Sequence, residues 1–217
     1  QLVGNPSYIG LVSLESSLTL TNRELHDALL RDGATITTLD EFCSVISLPK
    51  CRDVLLFRGQ QFSTIERLEI ISLLTTDIPY VSQSYNQLIT QISNDGGIPV
   101  LNWAPGKWFG KRGKIATELC HGGLMLGETL LKPLGYSGHP LIKNCRSKII
   151  RGSDPLPIKG EEGYPGNFGI IFSGNAESHS ENLRTALIDQ SVSVNYFSKQ
   201  QTFFNVLKRW VRLYLRK

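Results

Sequence analysis

The run Gly106-Lys107-Trp108-Phe109-Gly110-Lys111 is the stretch of this 217-residue chain nearest in type to a phosphate-binding loop. Such a loop cradles phosphates with backbone amides. It needs four residues between its glycines, then Lys and a Ser or Thr for magnesium. Here three residues separate the glycines and Arg112 stands where the hydroxyl is required. Nucleotide hydrolysis is therefore not expected. Ser173-Gly174-Asn175 offers amides to an anion at a helix start, but with one glycine it reads as a plain strand-to-helix turn. His179 lies between Ser178 and Ser180, a base beside two hydroxyls, yet no G-x-S-x-G elbow accompanies them. His26 reads as a helix-edge residue. Cys120, His121, His139 and Cys145 are zinc-ligand types without a standard spacing, and with Cys43 and Cys51 they form no C-x-x-C pair. The cysteines are expected to be free thiols in a reducing compartment. No catalytic residue, cofactor, metal or small-molecule substrate is expected.

What the residues offer instead is charge. Residues 1–102 carry 6 basic and 11 acidic side chains, whereas 103–159 carry 10 basic and 3 acidic. A surplus so concentrated suits a polyanion, of which nucleic acid is the commonest. Lys107, Lys111, Arg112, Lys114, Arg146, Lys148 and Arg151 are the expected phosphate contacts. Trp103, Trp108 and Phe109 interleave with the first of them, a mixture that suits RNA, since rings stack on unpaired bases. Trp103 is the ring expected to close the core instead. At 100° per residue the C-terminal helix places Phe203, Phe204, Leu207, Trp210, Val211 and Tyr214 on one face. Lys208, Arg209, Arg212 and Arg216 fall on the other and are assigned to RNA. Such a helix also suits a membrane surface; no membrane partner is expected.

The elements that must position these residues follow from caps and apolar runs. Helix starts are predicted where Ser or Thr precedes Glu or Gln by three: Thr21, Ser63, Ser84, Ser178 and Ser198. Strand-length apolar runs lie at Tyr8–Leu14, Asp53–Phe57, Ile78–Val81, Ile98–Leu101 and Phe168–Phe172. Alternating strands and helices predict an α/β fold: three layers, a mostly parallel sheet flanked by helices, flavodoxin- or Rossmann-like in topology. Residues 103–166 hold 12 glycines and 6 prolines, so an extended Gly/Pro-rich basic insertion is predicted there. The expected organisation is one α/β domain, 1–217, carrying that insertion. No apolar run approaches 18 residues and no secretory signal opens the chain, so it reads as soluble.

In order, these segments resemble the small-subunit ribosomal protein S two family, in a divergent mitochondrial form. Glu24–Ile36 (ELHDALLRDGATI) resembles the family's opening helix. Leu48–Leu68 is similar to its Asn-Pro, strand, Arg, strand and Thr-initiated helix, with Pro49, Arg58 and Thr64 in matching places. Ile78–Ile92 resembles a strand and following helix, and Trp103-Ala104-Pro105-Gly106 its Trp-x-Gly-Gly signature. Pro165–Phe172 and Thr185–Asp189 resemble its late strands. Thr35 and Thr37 depart from the usual Gly or His, Trp108-Phe109-Gly110 replaces Leu-Thr-Asn, and 111–164 shows no sign of the family's helical hairpin.

The resemblance implies a structural, non-enzymatic role in translation. The chain would be a constituent of the mitochondrial ribosome's small subunit, in the matrix, bound to small-subunit rRNA and neighbouring ribosomal proteins. Two alternatives stay open: a small α/β glycosyl or phosphoryl transferase with its site after Phe172, and a large-subunit mitoribosomal protein of similar topology.

Overall fold

The computed structural model describes residues 9–13, 31–51, 53–76, 78–79, 81–104, 106–130, 132, 135–136, 138–145, 147–153, 167–174, 178–198 and 201–214. The strands are β1 (Ile9–Ser13), β2 (Thr35–Asp40), β3 (Cys43–Ser47), β4 (Val54–Ser63), β5 (Glu69–Leu73), β6 (Ile98–Trp103), β7 (Met125–Thr129), β8 (Ile149–Gly152), β9 (Phe168–Phe172) and β10 (Val194–Ser198). The helices are α1 (Tyr85–Asn94), α2 (Lys111–His121), α3 (Pro140–Asn144), α4 (His179–Ile188) and α5 (Phe203–Tyr214). The chain is an α/β protein with a mixed sheet, and it divides into two compact units, 1–99 with 173–192 and 100–172 with 193–217.

In the first unit the order is β2-β3-β4-β5, antiparallel throughout, with β1 parallel to the first half of β4. Leu55, Phe57, Phe62, Ile70, Leu73, Leu88 and Ile92 are buried. Ser84 caps α1 reciprocally with Gln87, as its spacing predicts. Ser178 likewise accepts from the Glu181 N–H at the head of α4. Arg184 on α4 donates to the carbonyl of Gly96 at 2.6 Å.

In the second unit β6, β7 and β8 pair in parallel, in sequence order. All five residues of β7 are buried, as expected of a strand covered on both faces. α2 and α3 supply the crossovers that parallel neighbours require. β9 and β10 form a separate antiparallel pair.

Four expectations are corrected. The helix predicted from Ser63 is a β4–β5 hairpin. The Thr64 hydroxyl accepts from Leu68 N–H, Arg67 turns with φ +61°, and Glu66 accepts from Tyr85 N–H at the start of α1 instead of capping its own segment. Ile78–Val81 is not a strand among its described residues, because the Gln60 side-chain amide bonds both the N–H and the C=O of Ile78 in place of a neighbouring strand. Thr185–Asp189, read as a late strand, lies largely in α4, whose apolar residues Leu183, Ala186 and Leu187 are buried at helical spacing. The stretch 103–153, expected to be extended, carries α2, β7, α3 and β8, its glycines falling mainly at turns such as Gly106, Gly110 and Gly123 with positive φ. Most of the helix predicted from Thr21, and all of 154–166, lie outside the described residues, as does His26.

Candidate functional site

The basic loop is built by the end of β6. After Trp103 the chain turns through Gly106 (φ +88°) and Gly110 (φ +58°) and enters α2 at Lys111. Gly110 is the N-cap and lends no side chain, and the first turn of α2 has no acidic residue. It carries Lys111, Arg112 and Lys114, the two lysines exposed and the arginine half-buried like Lys107. The positive end of the helix dipole and these cations therefore point one way electrostatically, toward an anion. Gly113 makes the turn possible, since a Cβ there would lie 2.6 Å from the carbonyl oxygen of Trp108. Phe109 is 70% exposed between the cations, whereas Trp103 and Trp108 are buried. Of the three rings only Phe109 is open to solvent.

Behind the loop sits a carboxylate out of reach of solvent. Glu128, near the end of β7, is 2% exposed, and its Oε1 accepts from Lys132 Nζ at 2.5 Å. Arg151 on β8 brings Nε to 3.1 Å from Glu128 Oε2, an ion pair whose alignment falls short of a hydrogen bond. The Arg151 guanidinium also lies 4.4 Å from the Tyr196 ring centre and 5.2 Å from that of Phe168. Rings on β9 and β10 thus hold the cation by charge–quadrupole attraction. Trp103 stacks on Tyr136 at 6.2 Å, and Trp108 meets the edge of His139 at 5.3 Å. His139 caps α3, its Nδ1 accepting from Leu141 N–H, and burial pulls its pKa below the usual value.

Arg151, expected on RNA from sequence, is half-buried, paired with Glu128 and set against two rings. Arg209, also expected on RNA, is 2% exposed and faces inward with Val206. α5 turns the other way from expectation. Phe203, Phe204, Leu207 and Val211 are exposed, Phe204 at 79%, because the helix rests on the Val206 and Arg209 side. Lys208 and Arg212 are exposed and Lys148 is half-buried. Arg146, Arg216 and the side chains of Trp210 and Tyr214 lie outside the described residues.

In the first unit, the hydroxyls of Ser178 and Ser180, on either side of His179, turn to Asp40. Both hydroxyls donate to Asp40, as does the Ser180 N–H at 3.0 Å. Partial burial would raise the Asp40 pKa, but these bonds from Ser180 and Ser178, with one from Phe42 N–H, hold it below the usual carboxylate value. The arrangement anchors the start of α4. The suggested zinc residues divide: Cys120 and Cys145 meet, but no cluster of three or more His, Cys, Asp or Glu occurs among the described residues.

Glu128, Lys132 and Asp40 were not singled out by sequence. The signal for Glu128 was modest: a lone carboxylate closing an apolar strand within a basic stretch.

No family model matches the chain, and no curated protein matches it. Among solved structures the chain is similar to the crystal structure of PsfC from Pseudomonas syringae PB-5123, at 13% identity and a TM-score of 0.55 over 95% of this chain and 84% of that one. At that identity the likeness is one of fold.

Proposed function

We propose that the chain is a non-catalytic RNA-binding protein that uses the basic loop and first turn of α2. One observation carries this reading: exposed Phe109 is followed by the uncapped α2 N-terminus with Lys111, Arg112 and Lys114 and no acid among them. Lysine and arginine take phosphates while the ring stacks on an unpaired base. The alternation β6-α2-β7-α3-β8 with parallel pairing supports a flavodoxin- or Rossmann-like topology for the second unit. It also places the loop at the carboxyl end of a strand, where ligands of open α/β sheets bind.

The particular RNA follows from the resemblance to the small-subunit ribosomal protein S two family. The chain docks on small-subunit rRNA and its protein neighbours in the mitochondrial ribosome. Sedimentation of the native protein tests this. Comigration with the small subunit is expected. Comigration with the large subunit, or with neither, overturns the ribosomal assignment.

A further inference from the structure

The last turn of α2 and the end of α3 meet through sulfur. Cys120, buried in α2, donates its thiol to Cys145 Sγ at 3.4 Å, and Cys145 is the C-cap residue of α3. A disulfide needs about 2.05 Å between sulfurs, and the pair already stands in direct sulfur–sulfur contact at 3.4 Å. Both are free, as are Cys43 and Cys51. The four differ in setting: Cys43 is buried on β3, Cys51 is exposed, and Cys145 is half-buried beside Cys120.

We propose that Cys120 and Cys145 are an oxidation site that closes to an intramolecular disulfide when the protein meets a peroxide. Cys145, the more accessible, reacts first. Its sulfur attacks one peroxide oxygen, the O–O bond breaks, a sulfenic acid forms and one water leaves. Cys120 Sγ then attacks Cys145 Sγ, the S–O bond breaks, and hydroxide leaves with the Cys120 proton as a second water. Two thiols lose two electrons and one peroxide gains them. Burial, with Cys145 beside it, pushes the Cys120 pKa up to about 11, so the closing step quickens as pH rises toward that value. The bond joins the end of the helix that carries Lys111, Arg112 and Lys114 to the end of the one capped by His139. This site rests on the sulfur geometry alone and does not depend on RNA binding.

The test treats the intact protein with hydrogen peroxide at pH 7 and pH 9, then counts thiols and maps peptides without reduction. The expected result is loss of the Cys120 and Cys145 thiols together, a Cys120–Cys145 linked peptide, faster linkage at pH 9, and full reversal by dithiothreitol. Cys51→Ser should behave as the parent, whereas Cys145→Ser should leave Cys120 reduced. A linked peptide that joins other cysteines, or Cys145 ending as an irreversible acid with Cys120 still reduced, overturns the proposal. Should either serine variant fail to fold, the parent's peptide map decides alone.

Discussion

The Cβ that Gly138 lacks would fall 2.7 Å from Glu128 Oε1, so the glycine holds open the space in which a buried carboxylate meets Lys132. Gly138 also has φ +85°, a conformation that side chains adopt only under strain. Gly138→Ala should therefore lose about 1–3 kcal/mol, read by chemical denaturation. Gly135, also at positive φ but with nothing near its Cβ position, is the control: Gly135→Ala meets only the backbone strain and should lose less. Equal losses at the two positions would remove the steric role of Glu128.

RNA binding should separate into charge and stacking. Replacing Lys111, Arg112 and Lys114 with Ala should lower the slope of log affinity against log salt by about 2, at roughly 0.7 per phosphate contact on a single strand. Phe109→Ala should cost about 1–3 kcal/mol of affinity while leaving the slope unchanged. Fluorescence anisotropy with an unstructured oligoribonucleotide, titrated at several salt concentrations, reads both. A parent protein whose affinity ignores salt would end the RNA reading.

Acid should weaken the fold in two stages. His139 has a lowered folded pKa, so its contribution is complete above about 6.5 and disappears as pH falls through that lower value. Protonating Nδ1 also removes the acceptor for Leu141 N–H. Asp40 contributes fully above about 4, and that share is lost as pH falls through its own depressed pKa. Denaturation midpoints across a pH series should show both slopes. Asp40→Asn should flatten the lower one and His139→Asn the upper one.

The two sides of α5 should fail in the reverse of what amphipathicity alone suggests. Arg209→Ala removes a buried side chain and should cost about 1–3 kcal/mol. The exposed residues Lys208 and Phe204, each changed to Ala, should shift stability by no more than about 0.5 kcal/mol. Thermal or denaturant unfolding distinguishes them, and a stable Arg209→Ala beside an unstable Phe204→Ala would contradict this orientation.

Much of the skeleton was legible because its signals are local. The Ser84 and Ser178 caps and the runs that became β1, β6 and β9 depend on residues within a few positions of one another. The Ser63 cap misled because Glu66 found its donor in Tyr85, 19 residues on. The strand at Ile78 was lost to Gln60, 18 residues back. Arg151 and Arg209 looked like surface cations because charge is visible in a sequence but burial is not. Nothing near Arg151 in the chain announces Glu128, Phe168 or Tyr196, which arrive from three other strands. Phe109 and the lysines of α2 were legible, since exposure at a glycine-rich turn is itself a local property.

β4 changes its inward face partway along. Leu55, Phe57 and Gly59 are buried, and then Gln60 and Phe62, so two buried neighbours interrupt the every-other-residue rhythm. The switch falls where pairing passes from β1 and β3 to β5. The strand thus reads in two frames that meet between Gly59 and Gln60. Deleting one residue there would merge the frames and turn one half's apolar residues outward. Deleting two in either half would preserve parity and shorten only the ladder. Length variation in this strand should therefore come in even steps, whereas the hairpin tip at Ile65–Glu66 is free of that arithmetic.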